Sequence, residues 1–170
     1  MTRGVVPAFD PHAERWGFNR LMFSRFTGQF DDWHRWFDLH STEHIQKHRP
    51  DAYAWYQQQV KPIYRWEPDP ALPSGIVYPR ERVADATERD FTCSLSWLLA
   101  LAIADEFTHI DIFWCPFDGT DNRHHEQVRS VCYWIGKARG AGCVVTIHGD
   151  SALKPSGALY GCEYRDEVFA

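Results

Sequence analysis

The sequence predicts an α/β fold whose sheet is mostly parallel, and two observations in its second half carry that expectation. The apolar run "FTCSLSWLLALAI" at 91–103 is long enough for a buried helix, and "HIDIFWC" after it has strand length and stops at Pro116. The periodic stretch 124–140 and then "GCVVTIHG" at 142–149 repeat the same helix-then-strand order. Strands that alternate with helices in this way pair in parallel through right-handed crossovers. The chain has 170 residues and is 44% hydrophobic, so one domain spanning 1–170 with a real core is expected.

The elements follow in order. "ERWGFN" reads as a short strand ending at Asn19, and "WHRWFDLH" holds another ending near His40. Ser41 or Thr42 opens a helix with Glu43 in its first turn, which suits the exposed N–H groups there. Pro50 either breaks that helix or starts a second one near its first turn. "KPIYRW" is a short strand, and the proline-rich "EPDPALPSGIVYP" after it reads as a long surface connection. Residues 80–89 are loop or a short helix. The central helix is expected over Thr92 to Ala104, with Thr92 or Ser94 near its N-cap, and "HIDIFWC" is expected as a buried strand. The helix at 124–140 ends at Gly140, and "GCVVTIHG" is the last strand. Together these make a Rossmann-like three-layer sandwich.

Composition narrows the partners. A net charge of −5 without a run of basic residues argues against a nucleic-acid backbone partner. The N-terminal segment lacks the pattern of a signal peptide, and the run Leu95 to Ala104 is far too short to cross a membrane. The five cysteines are spread without a C-x-x-C pair, so reduced thiols in a cytoplasm are expected, with no zinc ribbon and no disulfide framework. No cofactor or resident metal is expected. Eight Trp, seven Tyr and eleven Phe point to aromatic packing in the core or at an interface.

In open parallel sheets the ligand sits beyond the carboxyl ends of the strands. That rule gathers Asn19, His40, Asp118 and Ser151 on one rim. Thr92 and Ser94 join them if they start a helix, because free N–H groups there favour a phosphate or carboxylate. Simple capping of that helix explains the same two residues.

The pattern "FTCSLSWLLALAI…HIDIFWCPFD" resembles a phage-encoded Rossmann-like family that reads aromatic-Thr-Ser-Ser, an apolar helix, then a strand ending Gly-Val-Asp-Met. The layout is similar to that of small bacterial sialyltransferases and of a motility-associated glycosyltransferase-like family. "WGFN" at 16–19, "WFDLH" at 36–40, "YP" at 78–79, "EQVRSVCYWIGKARGAG" at 126–142, "SAL" at 151–153 and "LYG" at 159–161 extend the likeness in order. The resemblance implies a pocket for a nucleotide or nucleotide sugar. It places Asn19 near the nucleoside, Thr92 and Ser94 as donors, Asp118 at the strand tip and Gln127 facing the cleft. The chain is divergent. "MTRGVVPAFDPHAE" stands where the family has its first strand and glycine turn, Cys93 replaces the middle Ser, and "WCPFD" lacks the Gly of Gly-Val-Asp-Met.

Other residues suggest chemistry, each beside a plainer reading. His40, His44 and His48 would share one face of a continuous helix and invite a metal, but His40 reads as a strand end and a solvated helix face is the plainer reading. "DGTDNRHHEQ" at 118–127 offers His124 and His125 beside Asp118 as a general base, or forms an exposed loop before a helix. Cys93 at a helix start is a candidate nucleophile or a small buried residue. Arg129 reaches a phosphate or is solvated.

These readings lead to three function classes. The first is a phage or prophage protein in the host cytoplasm that holds a nucleotide-derived ligand, such as a cyclic or ADP-ribose-type immune signal, without turning it over. The second is a glycosyltransferase- or hydrolase-like enzyme acting on a nucleotide sugar, with Asp118, His124 or His125 catalytic. The third is a non-catalytic interaction protein. The missing edge strand implies a homodimer that covers it.

Overall fold

The computed structural model describes residues 12–21, 32–83, 90–113, 115, 117, 119 and 121–154. Its described sheets are parallel throughout and occur together with helices, so the protein is α/β. The chain divides into two compact units, Met1–Arg80 and Glu81–Ala170, the first with a four-stranded sheet and the second with a two-stranded one.

In the first unit the strands are β1 (Trp16–Phe18), β2 (Arg35–Asp38), β3 (Ile63–Arg65) and β4 (Gly75–Val77), side by side in that order. Between β2 and β3 lie α1 (Thr42–His48) and α2 (Pro50–Gln57). The Ser41 side chain caps α1 by accepting from the His44 N–H at 3.2 Å, with Glu43 in the first turn and Lys47 and His48 in the last. Pro50 takes the first turn of α2, where its missing N–H costs no helical hydrogen bond.

Alternation along β2 sends Trp36 and Asp38 to one face and Phe37 to the other. On the first face Trp36, Ile45, Ala52, Tyr53, Tyr56, Ile63 and Leu72 form a buried cluster, with Trp36, Ile45, Tyr56 and Ile63 fully excluded from water. Gly17 sits opposite Trp36 in register, and a Cβ there would lie 2.2 Å from the indole ring. On the other face the Phe37 and Tyr64 rings stack at 4.7 Å.

The segment expected as a proline-rich surface connection contains β4. Gly75–Val77 follows Pro73 and keeps free N–H groups, so it pairs in parallel with Ile63–Arg65, and Tyr78 N–H extends the ladder to Arg65 O at 2.7 Å. All three β4 residues are exposed, which is the position in a sheet that tolerates flanking prolines.

In the second unit, after the short α3 (Arg80–Val83), come α4 (Ser94–Ala104), β5 (His109–Ile112), α5 (Asn122–Gly140) and β6 (Val144–Ile147). Leucine and alanine dominate α4, and most of its side chains are buried. On α5, Val131, Trp134, Ile135 and Ala138 recur at helical spacing and are buried, and the Asp121 carboxylate caps the helix by accepting from His124 N–H at 2.9 Å. β5 and β6 pair in parallel from His109↔Val144 to Ile112↔Ile147.

Two local expectations change here. α4 starts at Ser94 rather than Thr92, with Cys93 between them as its N-cap and no side-chain capping bond. β5 is not a buried strand, because His109 and Asp111 are exposed while Ile112 alone is fully buried. One face of the β5–β6 pair, with His109, Asp111, Val144 and Thr146, is exposed, and the alternation within "HID" records it on β5.

Candidate functional site

The carboxyl ends of the first unit's strands bring polar groups together above an apolar core. At the end of β1, Asn19 adopts a left-handed backbone (φ 51°), a conformation Asn tolerates, and its N–H donates to Phe37 O at 2.8 Å. Its carbonyl accepts from the Trp36 indole at 3.1 Å and faces the Tyr56 hydroxyl at 3.0 Å.

At the end of β2, Asp38 is fully buried, and every bond to its carboxylate comes from its own unit. Oδ1 accepts from His40 Nδ1 at 2.6 Å and from His40 N–H at 3.3 Å, and Oδ2 accepts from the Tyr56 hydroxyl at 2.7 Å. Arg49 Nη1 lies 3.7 Å from Oδ2. Burial works to raise the Asp38 carboxyl pKa, but the hydrogen bonds from His40 and Tyr56 outweigh it, and the pKa falls below the ordinary carboxylate value. Burial and the adjacent Asp38 charge push the Tyr56 phenol well above its ordinary range, so Tyr56 stays a donor.

A carboxylate can only accept, so the 2.6 Å contact puts a proton on His40 Nδ1 and leaves Nε2 as the basic nitrogen. The His40 side chain is 33% exposed, and Arg49 lies along its ring, 3.3 Å from Nδ1 and 3.5 Å from Nε2. A buried acid that orients a half-exposed imidazole is the arrangement that general acid–base chemistry uses.

Arg65 ends β3 as the register partner of Asp38 and is fully buried. Its Nη2 donates to His40 O and to Thr42 Oγ1, both at 3.2 Å, while Nε and Nη1 are buried without a hydrogen-bond partner. Thr42 in turn donates to Asp69 Oδ2 at 3.1 Å, and the Tyr53 hydroxyl donates to the same oxygen at 2.9 Å.

Of the residues expected to bind ligand, Asn19 and His40 belong to this rim. The others lie in the second unit. Thr92 is a structural tie there, its N–H donating to Ser130 Oγ at 3.3 Å and its hydroxyl to Glu126 O at 3.1 Å. Ser130 also meets Ser96 Oγ at 2.7 Å and donates to Asp90 O. The Cys93 thiol lies 3.4 Å from Ser96 Oγ, and no histidine bonds to it. Ser94 is the first residue of α4, and Gln127 is half-buried on α5. Arg129 reaches Asp90 at 3.7 Å with its side chain largely in solvent. His124 bonds the capping Asp121 at 2.8 Å, His125 is exposed, and the Ser151 hydroxyl donates to Cys115 O. Asp118, "GVVPAF" and "LYG" lie outside the described residues.

His40, His44 and His48 stack in a row, with ring centroids 5.0 and 4.7 Å apart. The His44 pKa is lowered first by partial loss of solvent and then by the charges of His40, His48 and Arg49. Among the described residues no group of three or more His, Cys, Asp or Glu is arranged to hold a metal ion. No described helix is long and apolar enough to cross a membrane.

Asp38, Arg49 and Arg65 are the rim residues that sequence reasoning passed over. "WFDLH" held a usable signal, because an acid two residues before a histidine at a strand end can hold that histidine's ring. The chain matches no protein-family model, no curated protein and no solved structure.

Proposed function

We propose that this chain is a Rossmann-like small-molecule binder whose site is the carboxyl rim of the four-stranded sheet, and that it holds a nucleotide-derived ligand there. The observation that carries the reading is the Asp38–His40 pair. A buried carboxylate 2.6 Å from Nδ1 fixes a half-exposed imidazole where parallel sheets place ligands. The nucleotide class comes from the resemblance, whose motifs "WGFN" and "WFDLH" carry Asn19 and His40 in this unit. The same pair favours a second reading, in which His40 Nε2 serves as general base on a nucleotide sugar or related ester.

Purified protein incubated with nucleotides, nucleotide sugars and cyclic or ADP-ribose compounds, then read by mass spectrometry, separates the two. A compound retained and released unchanged supports holding. One hundred times its Kd of that compound should add about 2.7 kcal/mol of stability. A compound changed in mass supports the catalytic reading, and His40→Gln should then slow the change by about 100-fold or more. No compound bound at all removes the rim as the site, and an undiminished mass change in His40→Gln removes the catalytic reading.

A further inference from the structure

The rim holds two guanidinium groups and three carboxylates, Glu67 accepting from the Thr42 N–H at 3.2 Å besides Asp38 and Asp69, but their pairing is uneven. Asp38 is committed to His40 and Tyr56, with Arg49 at 3.7 Å. Asp69 is committed to Thr42, Tyr53 and the Ala71 N–H. Arg65, 0% exposed, forms no ion pair with any of them; its guanidinium lies 6.0 Å from the Tyr56 ring, and only Nη2 has hydrogen-bond partners. A buried guanidinium is always charged, and an unpaired buried charge with idle N–H groups is among the costliest features a fold can carry. The strand register places it beside Asp38 and beneath the turn from His40 to Thr42, where the His40 ring is part-exposed and Arg49 lies alongside.

From this geometry we infer that the rim is an oxyanion receptor: a phosphate or carboxylate group of the ligand closes on Arg65 through the His40–Thr42 turn, with Arg49 as its outer contact. The inference rests on the rim being the ligand site, and it names the chemical group recognised there. It also assigns different tasks to the two arginines. Arg65 supplies a dry, fixed positive charge, and Arg49 supplies a part-exposed one that meets the anion first.

The test follows thermal unfolding of the full chain in chloride buffer while inorganic phosphate, pyrophosphate, acetate or citrate is titrated in. The expected result is a saturable rise in Tm with one of the two anion classes, and the responding arm identifies phosphate or carboxylate as the source. Arg65→Met, similar in length and uncharged, should abolish that rise while unfolding at or above the wild-type temperature in chloride alone. Arg49→Gln, at a part-exposed position, should weaken the response about tenfold, and it carries the test if Arg65→Met does not fold. A wild type indifferent to both anion classes overturns the inference. So does an anion response left intact in Arg65→Met or Arg49→Gln, since Arg65 then only pins the turn. Retained anion response with His40→Gln unable to affect any nucleotide compound keeps the anion site and removes the His40 reading. The reverse pattern keeps His40 and removes the anion site.

Discussion

The two units solve the same problem differently. Each buries polar side chains, and each such group must find partners inside the fold. In the second unit the solution is closed. Ser96 and Ser130 are fully buried, but Ser130 meets Ser96, Asp90 O and the Thr92 N–H, so the hydroxyls are used up holding α4 to α5. In the first unit the solution is open. Asp38 spends its oxygens on a histidine that still faces water, and Arg65 has donors to spare. Buried polarity alone therefore does not mark a site. A site is marked by capacity left over after the fold's own hydrogen bonds are made.

The strongest way to break this contrast is to remove each hub. Asp38→Ala leaves His40, Tyr56 and Arg49 facing an apolar void and should cost about 3–5 kcal/mol in urea unfolding. A loss under about 1 kcal/mol would mean that Asp38 is not the hub described. Ser130→Ala should cost less, about 1–3 kcal/mol, because neutral partners are released and Trp134 Nε1 still donates to Asp90 O. It should leave ligand binding at the first unit's rim unchanged, whereas Asp38→Asn should weaken binding by loosening His40.

The pH dependence sharpens the contrast further. Because the folded Asp38 pKa is depressed, the unfolded chain takes up its proton first as pH falls. The stabilisation is complete above the ordinary carboxylate pKa of about 3.9 and is lost as pH drops from there through the folded value. Unfolding curves between neutrality and strong acid should show wild type losing stability more steeply than Asp38→Asn below about pH 4. Parallel curves would contradict the assigned hydrogen bonds.

The smallest effect concerns thiols. Burial pushes the Cys115 thiol up to about 12, so its thiolate is scarce at neutral pH. Iodoacetamide should spare Cys115 in native protein and modify it after unfolding, as peptide mapping would show. Prompt native labelling would place Cys115 outside the buried environment described.

Much of the fold was legible in the chain because its signals are local. Ser41 before Glu43, Pro50 at a helix start, Gly140 at the end of the α5 pattern and apolar runs of strand length each act within a few residues. β4 was hidden because proline-rich neighbours carry the same signal whether or not three residues between them pair with a strand. Asn19 and His40 were legible as strand ends. Their chemistry was not, because it depends on partners from other elements. Tyr56 reaches Asp38 from α2, and Arg65 faces the same turn only through the β2–β3 register.

The sequence alone thus determined the order and type of most elements, the start of α1 and the parallel sense of the strands, since these follow from periodicity and nearest-neighbour hydrogen bonding. Tertiary structure decided which polar residues became ties and which kept spare capacity. An aspartate at a strand end has the same local signature in water as beneath a helix. Only packing sets its dielectric surroundings and its donors, and those make Asp38 a buried anchor for His40 while Thr92 and Ser130 hold two helices together.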